Sequence, residues 1–306
     1  MNCKRQHIHG WLIVDKPLGL SSSKVVHRVK NILNAKKAGH GGTLDPLATG
    51  LLPIALGEAT KTVSYVMDAF KSYRFSIKWG ASTTTDDEEG PIINFSDRRP
   101  TPSEINLVLD QFIGQINQIP PIFSALKVRG ERSYKLARQG RSEKLKMRKV
   151  FVKSFTLLKT ISEDESQFEV VSGKGTYIRS LARDLAVALG TFGHVKSLRR
   201  VAVGPFTEQH SISLDSLEAL RHNALNSSFL LAIESVLDDI PGLDLGAEDA
   251  RKMRCGQSIS AVSLTNAGFL GDLREDSVVM VLAGGRIFAL AKIKGGKIRP
   301  HRILNI

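Results

Sequence analysis

The sequence predicts an α+β fold, in which helices pack beside a β-sheet and a small β domain follows at the C-terminus. Three observations predict it. Apolar and polar residues alternate from Tyr73 to Trp79, which is the period of a half-buried strand. Thr101-Pro102-Ser103-Glu104 has the spacing of a helix capping box. Near the C-terminus, Gly284-Gly285 separates two short apolar runs, as in a β-hairpin.

The first elements follow from the spacing of apolar residues. Trp11–Val14 predicts a short buried strand, and Leu51–Leu56 predicts another. Between them, Ser21-Ser22-Ser23 offers N-caps for a helix. The apolar residues of that helix recur with helical spacing and are Val25, Val26, Val29, Ile32 and Leu33.

Two further helices and a strand follow. The helix that begins at the capping box is predicted to have the core face Ile105, Val108, Leu109, Phe112 and Ile113. Phe168–Val171 predicts a strand, and Thr176 is a candidate N-cap for the helix beyond it. The core face of that helix is Ile178, Leu181, Leu185 and Leu189.

The C-terminal segment differs from the rest of the chain. A boundary is predicted around Asp238–Gly242, followed by a short helix over Glu248–Arg254 that Gly256 closes. Short apolar runs and two Gly-Gly turns come next. This pattern predicts a small basic β-barrel.

Composition favours a polyanionic partner. The 306-residue chain has a formal net charge of +13, and each Lys or Arg near a phosphate can release a condensed counterion. A generally basic surface without nucleic acid is the alternative. No run approaches the ~20 apolar residues of a membrane span, and the N-terminus lacks the apolar core of a signal peptide.

Cysteine usage argues against a structural metal site. Cys3 and Cys255 are the only cysteines, and they form no CxxC pair. Two isolated thiols suit a reducing cytosol. The sequence therefore predicts a cytoplasmic protein without a metal.

A glycine-rich stretch, Gly39–Gly50, contains one imidazole, His40, and one carboxylate, Asp45. Glycine is used where the backbone needs a positive φ or approaches another group closely. Asp45 before Pro46 also has the pattern of a helix N-cap with proline at the first helical position. The two interpretations are compatible, because a capping aspartate on a glycine-framed loop is also rigidly presented.

Two other stretches have unusual charge. Thr83–Glu89 is acidic, but it lacks the spacing of a calcium loop and a His partner, which favours a solvated loop over a metal site. Pro120–Gly140 is basic with interleaved Phe123 and Tyr134, a composition typical of nucleic-acid binding. A solvated excursion with a short helix is the alternative for this second stretch.

Several single residues allow two interpretations. Arg179 lies in the first turn of its helix, where the helix dipole disfavours a cation. Such a conflict indicates either a fixed carboxylate partner or an ordinary exposed arginine. Arg199-Arg200 indicates surface charge or a phosphate contact, and Lys16 is a phosphate or structural contact or a solvated loop lysine. Tyr73, taken alone, is a core residue.

Five stretches together resemble one known family. They are GWLIVDKPLGLSS, GHGGTLDPLATGLLPIALGEATK, KSYRFSIKWG, GTYIRSLARDLA and LRRVAVGPF. In this order they resemble the TruB family of tRNA pseudouridine synthases, and the likeness runs from about Trp11 to the C-terminus. The resemblance implies a mixed, mainly antiparallel sheet flanked by helices over residues 1–240, with Asp45 in the central cleft. It also implies an RNA-gripping insertion at about 120–150 and a PUA-like β-barrel over residues 243–306.

The resemblance also implies an activity: isomerisation of uridine to pseudouridine in the T-loop of tRNA, at position 55. Asp45 would be the catalytic nucleophile, acting on a flipped-out base. The residues implied to bind the substrate are His40, Tyr73, Tyr177, Arg179, Leu198 and Lys16. Arg179 would pair with Asp45, Tyr73 would stack on the target base, and His40 would fill the space that the base leaves.

The reaction has neither a redox step nor net hydrolysis, so the resemblance implies no cofactor and no metal. It implies a monomer that binds the tRNA T-arm and needs no obligate protein partner. One departure is that Gly-Gly-Thr follows His40, where many relatives have Thr-Gly-Ala. Two alternatives stay open. One is a guide-RNA-dependent synthase of the H/ACA type, which the long insertion disfavours, and the other is an RNA-binding or tRNA-folding factor with little catalysis.

Overall fold

A sheet of eleven strands forms the centre of the first part of the chain. The structure is a computed structural model, and it describes residues 4–141, 143, 145–220, 228–261 and 275–306. Cys3 lies outside the described residues.

The strands up to residue 231, in chain order, are β1 (Gly10–Lys16), β2 (Ala38–His40), β3 (Ala48–Leu56), β4 (Lys71–Trp79), β5 (Ala81–Thr83), β6 (Ile92–Phe95), β7 (Gly114–Gln118), β8 (Lys127–Val128), β9 (Glu131–Arg132), β10 (Arg148–Ser162), β11 (Glu165–Ser172), β12 (Gly193–Val203), β13 (Phe206–Thr207), β14 (Ser211–Ser213) and β15 (Leu230–Leu231). The later strands are β16 (Gly242–Asp244), β17 (Ile259–Ser260), β18 (Val278–Ala283), β19 (Arg286–Lys294) and β20 (Lys297–Ile303). The α-helices are α1 (Ser22–Ile32), α2 (Val63–Asp68), α3 (Pro102–Leu109), α4 (Ser133–Arg138), α5 (Ile178–Ala188), α6 (Leu214–Ala219) and α7 (Ala247–Arg254).

The large sheet is mixed and mainly antiparallel. Its strand order is β14-β1-β3-β12-β4-β11-β10-β7, with β2 beside β3, β13 beside β12 and β15 beside β1. The β1–β14 and β3–β12 pairs are parallel, whereas pairs such as β1–β3, β4–β12 and β4–β11 are antiparallel. The predicted α+β fold, with a mixed, mainly antiparallel sheet flanked by helices, is therefore confirmed.

Two helices flank the strands that carry the predicted alternation. Phe75, Ile77 and Trp79 of β4 are buried, and they form one core with α3, α5, β10 and β11. Phe75 stacks on Phe168 of β11 with ring centroids 5.6 Å apart. Tyr73, which begins the same alternation, is only partly buried and packs against the edge of this core. The strand prediction for Tyr73–Trp79 is confirmed.

The N-terminal elements form a second core. Val25 and Val29 of α1 pack against β1, β3 and α6. The helix begins as its serines predict, because the Ser21 side chain accepts a hydrogen bond from the Lys24 amide. The capping box of α3 is also present, with the Thr101 and Glu104 side chains each accepting from the other's backbone amide.

Two details of the predicted helices are wrong. Ile113 lies beyond the end of α3 and is 40% exposed, because the helix ends at Leu109 and a 3-10 turn follows. Thr176 does not cap α5. The N-cap is Tyr177, and the Thr176 hydroxyl instead donates to the Gly173 carbonyl at 3.2 Å.

The C-terminal sheet has the order β16-β18-β19-β20-β17. It is curled as a half-barrel, which is consistent with the expected PUA-like fold. The Gly284-Gly285 and Gly295-Gly296 turns join β18 to β19 and β19 to β20, and all four glycines have positive φ. Among the described residues, no helix has the length and apolarity needed to cross a membrane.

Candidate active site

A cleft of about 440 Å³ opens where the loop before β3 meets β4, β12 and the N-terminus of α5. Five of the predicted site residues line it, namely Asp45, Tyr73, Tyr177, Arg179 and Leu198. Lys16 and His40 lie outside its lining. We call this feature the central cleft. It brings together residues that are up to 153 positions apart in the chain, because the β3–β12 and β4–β12 pairings place Leu198 opposite Ala48 and Phe75.

The loop that carries Asp45 is tied down on both sides. Asp45-Pro46-Leu47-Ala48 forms a turn closed by the Ala48 amide, which donates to the Asp45 carbonyl at 3.0 Å. The interpretation of Asp45 as a helix N-cap is therefore wrong, because β3 and not a helix begins at Ala48. The Leu44 amide donates to Ser22 Oγ at 2.8 Å, and that hydroxyl donates back to the Leu44 carbonyl at 3.0 Å.

Arg200 supports the same loop from below. Its side chain is buried at 1% exposure. Nε donates to the Leu51 carbonyl at 2.8 Å, Nη2 to the Gly42 carbonyl at 3.1 Å and Nη1 to the Thr43 carbonyl at 3.5 Å. Surface charge is therefore the wrong interpretation for Arg200. Arg200 lies in β12, whose partner strands β3 and β4 are far away in the sequence. No local sequence pattern therefore indicates this role.

Arg179 holds the Asp45 carboxylate. Nη2 lies 2.8 Å from Asp45 Oδ2, and Nη1 lies 3.4 Å from Asp87 Oδ2. The guanidinium also donates to the carbonyls of Thr85 and Phe123, each at 2.9 Å. Since the Arg179 side chain is only 5% exposed, the ordinary exposed arginine is excluded. Arg179 lies at the N-terminus of α5, where the helix dipole disfavours a cation. The fixed carboxylate partner that this conflict indicated is Asp45.

The acidic loop between β5 and β6 supplies the second carboxylate. Asp87 is buried, and neighbouring Asp86 pairs with Arg183 of α5 at 2.8 Å. The solvated-loop interpretation is therefore wrong for these two residues, although Glu88 and Glu89 are exposed. Burial raises the pKa of the Asp86 carboxyl, and the positive charges of Arg183 and Arg179 oppose that rise. Asp86 and Asp87 were missed because adjacent carboxylates are usually solvated.

The two tyrosines reach the cleft from different elements. Tyr73 lies in β4 opposite Val170 and Arg200. Tyr177 is fixed by Gln118, whose Oε1 accepts from the Tyr177 amide at 2.8 Å and whose Nε2 donates to the Tyr177 carbonyl at 3.1 Å. Burial raises the pKa of the Tyr177 phenol, so the ring stays neutral at physiological pH.

Lys16 and His40 lie outside the lining of the cleft. The Lys16 ammonium donates to the carbonyls of Pro17, Leu20 and Pro46 at 2.9, 2.7 and 3.2 Å. Its side chain is buried, so the solvated-lysine interpretation is wrong. His40 lies in β2 opposite Ile54, and its buried Nδ1 has no hydrogen-bond partner among the described residues. Burial, and next the charge of Arg200, lower the pKa of His40, which keeps the ring neutral.

The walls of the cleft are cationic. Lys71, Lys174 and Arg200 line it together with Arg179. Burial, and next the charge of Arg200, lower the pKa of Lys71 to about 8. Among the described residues, no cluster of His, Cys, Asp and Glu could hold a metal ion. A carboxylate of this kind, set among fixed cations, suits covalent or acid–base chemistry on a polyanion.

The fold and the cleft therefore define an α+β enzyme that acts on a negatively charged substrate. A model of the TruB family pseudouridylate synthase N-terminal domain matches residues 30–178, and one of the tRNA pseudouridylate synthase B C-terminal domain matches residues 179–238. The chain belongs to the TruB family of pseudouridine synthases, which are isomerases.

Curated relatives match along the whole chain. The chain is 52% identical over 301 residues to tRNA pseudouridine synthase B of Rhodospirillum rubrum, covering 98% of each sequence. It is 46% identical over 304 residues to tRNA pseudouridine synthase B of Caulobacter vibrioides, covering 99% of this chain and 98% of the relative.

Solved structures share the fold. A Cbf5-Nop10-Gar1 complex contains a chain with a TM-score of 0.73 and 25% identity, covering 97% of this chain and 85% of the other. A chain of the archaeal box H/ACA sRNP Nop10-Cbf5 complex has a TM-score of 0.72 and 24% identity, with coverage of 97% and 87%. At this identity the second likeness shows the fold alone.

Proposed function

We propose that this chain converts uridine to pseudouridine in the T-loop of tRNA, at position 55, with Asp45 as the nucleophile. The observation that carries this proposal is the 2.8 Å contact between Arg179 Nη2 and Asp45 Oδ2 at the floor of the cationic central cleft. The names of the curated relatives, tRNA pseudouridine synthase B, support tRNA as the substrate.

The chemistry requires a carboxylate that stays ionised in a cleft from which RNA excludes water. The N1–C1′ bond of the uridine breaks, the uracil turns, and a C5–C1′ bond forms. C5 then loses its proton, and N1 gains one. Asp45 attacks the flipped-out nucleotide and is released when the new bond is complete. Arg179 orients the Asp45 carboxylate and supplies its counter-charge, because the position of Arg179 is set by Asp87 and by two backbone carbonyls.

The other residues of the cleft hold the base. Tyr73 stacks on the target uracil, while Tyr177 and Leu198 form the walls that stop the detached base from escaping. His40 occupies the space that the flipped nucleotide leaves in the RNA; a neutral ring suits this role, because it inserts among bases without carrying a charge. We assign Lys16 to the support of the Asp45 loop, because three carbonyls already accept its protons.

The remaining parts of the chain bind the T-arm. We propose that residues 1–240 form the catalytic domain and that residues 243–306 form an RNA-binding domain. The insertion at about 120–150 closes on the RNA. It contains α4, where the Arg138 guanidinium lies 5.8 Å from the centroid of the Tyr134 ring. We further propose a monomer that acts without a cofactor or a partner protein.

The test uses unmodified tRNA labelled with tritium at uridine C5. Purified wild-type chain and an Asp45→Asn variant are each added without cofactor, metal or partner, and released tritium is counted. We expect stoichiometric release by the wild type and none by the variant, with tRNA binding retained by both. Glu169→Gln, on an exposed ion pair with Arg74 away from the cleft, is the matched control and should release tritium normally.

Each failure has a distinct meaning. Absence of release from the wild type, with tight tRNA binding, would favour a guide-dependent synthase or an RNA-folding factor. Release from both proteins would show that Asp45 is not the nucleophile. If the new pseudouridine lies outside the T-loop, only the proposed position of the target uridine in the tRNA is wrong. Binding should weaken steeply with salt if phosphate contacts dominate.

A further inference from the structure

Two exposed phenylalanines lie side by side at one end of the central cleft. Phe70 is 44% exposed and Phe151 is 46% exposed. Their ring centroids are 6.1 Å apart, with an angle of 59° between the ring planes. We call this pair the Phe70–Phe151 platform.

The platform is continuous with the cleft. Gly173, which lines the cleft, donates its amide proton to the Phe151 carbonyl at 2.8 Å. A methyl group built on Gly173 would lie 3.7 Å from Phe151 Cβ and 4.0 Å from Phe70 Cε1. Met67, half exposed, also lines the cleft three residues before Phe70. The two rings therefore adjoin the part of the cleft wall that Met67 and Gly173 form.

The surroundings of the platform are cationic. Phe151 lies on the exposed face of β10 between Lys149 and Lys153, because side chains alternate along a strand. Lys153 Nζ is 5.6 Å from the centroid of the Phe70 ring. Lys174 follows Gly173 in the chain and lines the cleft. Asp68 also lines the cleft, and its carboxylate is paired with Lys174 at 2.9 Å.

Exposed aromatic rings beside lysines match an unpaired nucleotide. Each base has an apolar face that stacks on an aromatic ring, and its phosphate pairs with a nearby cation. A protein partner of opposite charge would also meet the lysines, but it would not explain why the rings adjoin a cleft that binds RNA. The charge and the continuity together favour RNA.

We propose that the Phe70–Phe151 platform stacks a second unpaired base of the substrate RNA, outside the catalytic pocket, with Lys153 at its phosphate. This proposal rests on the proposed function, because it takes the RNA in the cleft as given. The platform adds affinity and holds the RNA strand in register. It does not touch the reacting uridine.

The test uses a T-arm hairpin RNA in which 2-aminopurine replaces one unpaired loop base at a time. Stacking on an aromatic ring quenches the fluorescence of this base. We expect the wild type to quench it at a position beside the target uridine. Phe151→Ala should remove that quenching and weaken binding by about 5- to 150-fold, the range for loss of one base–aromatic stack. Phe151→Trp should keep both the quenching and the affinity.

Phe95→Ala is the matched control. Phe95 is 77% exposed in β6, on the two-stranded β5–β6 ribbon and outside the lining of the cleft. Its loss should change neither quenching nor affinity. Because Phe95 and Phe151 are both exposed, the two alanine variants should melt at similar temperatures, which separates lost stacking from lost folding.

The outcomes distinguish this proposal from the proposed function. If Phe151→Ala and Phe95→Ala quench 2-aminopurine equally and bind the hairpin RNA with equal affinity, the platform is not a base-binding site. This holds even when the wild type releases tritium normally. If the wild type quenches through Phe151 but releases no tritium, the platform stands and the catalytic proposal fails. A wild-type chain that does not bind the hairpin would overturn both.

Discussion

The Arg179 side chain is 5% exposed, whereas the Asp45 side chain that it contacts at 2.8 Å is 38% exposed. The protein therefore buries the cation and leaves the carboxylate open to the cleft. A guanidinium presents five N–H donors in a rigid fork, and here two of its nitrogens meet two carboxylates and two carbonyls. The position of Asp45 consequently depends on contacts that Arg179 makes with distant parts of the chain.

Replacement of Arg179 by lysine should slow the chemical step. A lysine keeps the charge, but its single ammonium cannot reproduce contacts with Asp45, Asp87 and two carbonyls. We expect the single-turnover rate of tritium release to fall about 100-fold or more, as for the loss of one fixed electrostatic group in an active site. The affinity for tRNA should change little. Arg74→Lys, on an exposed pair with Glu169, is the control and should release tritium at a rate close to that of the wild type. An Arg179→Lys variant as active as this control would contradict the role of Arg179 in fixing Asp45.

Replacement of Asp87 by asparagine tests the second carboxylate. Asp87 is buried and accepts a hydrogen bond from the Glu89 amide at 3.1 Å as well as contacting Arg179. Removal of its charge leaves Arg179 with one carboxylate, so Arg179 should draw Asp45 away from the substrate. We expect the free energy of unfolding, measured with urea, to fall by about 3 kcal/mol, because one partner of a buried ion pair is lost.

The same variant should also slow tritium release, and the loss should not add to that of Arg179→Lys, since both act through one guanidinium. Additive losses in the double variant would show that Asp87 acts independently of Arg179. Glu104→Gln, on an exposed pair with Arg98, is the control for stability, and its free energy of unfolding should stay close to that of the wild type.

Gly50→Ala should prevent close packing of β3 on β12. A methyl group at Gly50 would lie 2.2 Å from the Arg200 carbonyl oxygen, and φ at this position is +95°. Gly19 also has a positive φ, +81°, but a methyl group there meets no atom within 4 Å. Gly19→Ala should therefore lower the free energy of unfolding only by the backbone strain, about 1–2 kcal/mol. We expect Gly50→Ala to lower the free energy of unfolding by clearly more than Gly19→Ala, and equal losses would contradict the steric argument.

The stability contributed by Lys16 should depend on pH. Burial lowers its pKa from 10.5 to about 8, while the Asp45 charge opposes this shift. Between these two pH values the unfolded chain keeps a proton that the folded chain has lost, so the free energy of unfolding rises with pH. Relative to a Lys16→Met variant, the wild type should gain stability across this interval, at about 1.4 kcal/mol per pKa unit. Urea unfolding at a series of pH values measures the difference, and a constant difference would show that the folded pKa is not lowered.

Much of the local structure was predictable. The alternation in β4, the apolar spacing of α1 and α5, the capping box of α3 and the Gly-Gly hairpins all appear where the sequence places them. These features depend on a few neighbouring residues, since hydrophobic period and turn chemistry act within one element. The errors at Ile113 and Thr176 concern the ends of helices, where several adjacent residues compete to end or to cap the helix.

The predictions that were wrong at the cleft concern charges. Asp45 has the local pattern of a helix cap, Asp86 and Asp87 that of a solvated loop, and Arg200 that of surface charge. Asp45 is followed by β3 and not by a helix, and it pairs with Arg179. Asp86 and Asp87 pair with Arg183 and Arg179, and Arg200 donates to backbone carbonyls of Gly42 and Leu51.

By itself, then, the sequence determined much of the secondary structure, the basic character and, through five motifs, the family and five of the residues that line the cleft. Only the tertiary structure decided which charges are buried and what holds them. The reason is physical. Burial of an ion is tolerated only when its partners surround it. Those partners come from β5–β6, α5 and β12, which meet at Asp45 only after the sheet has formed.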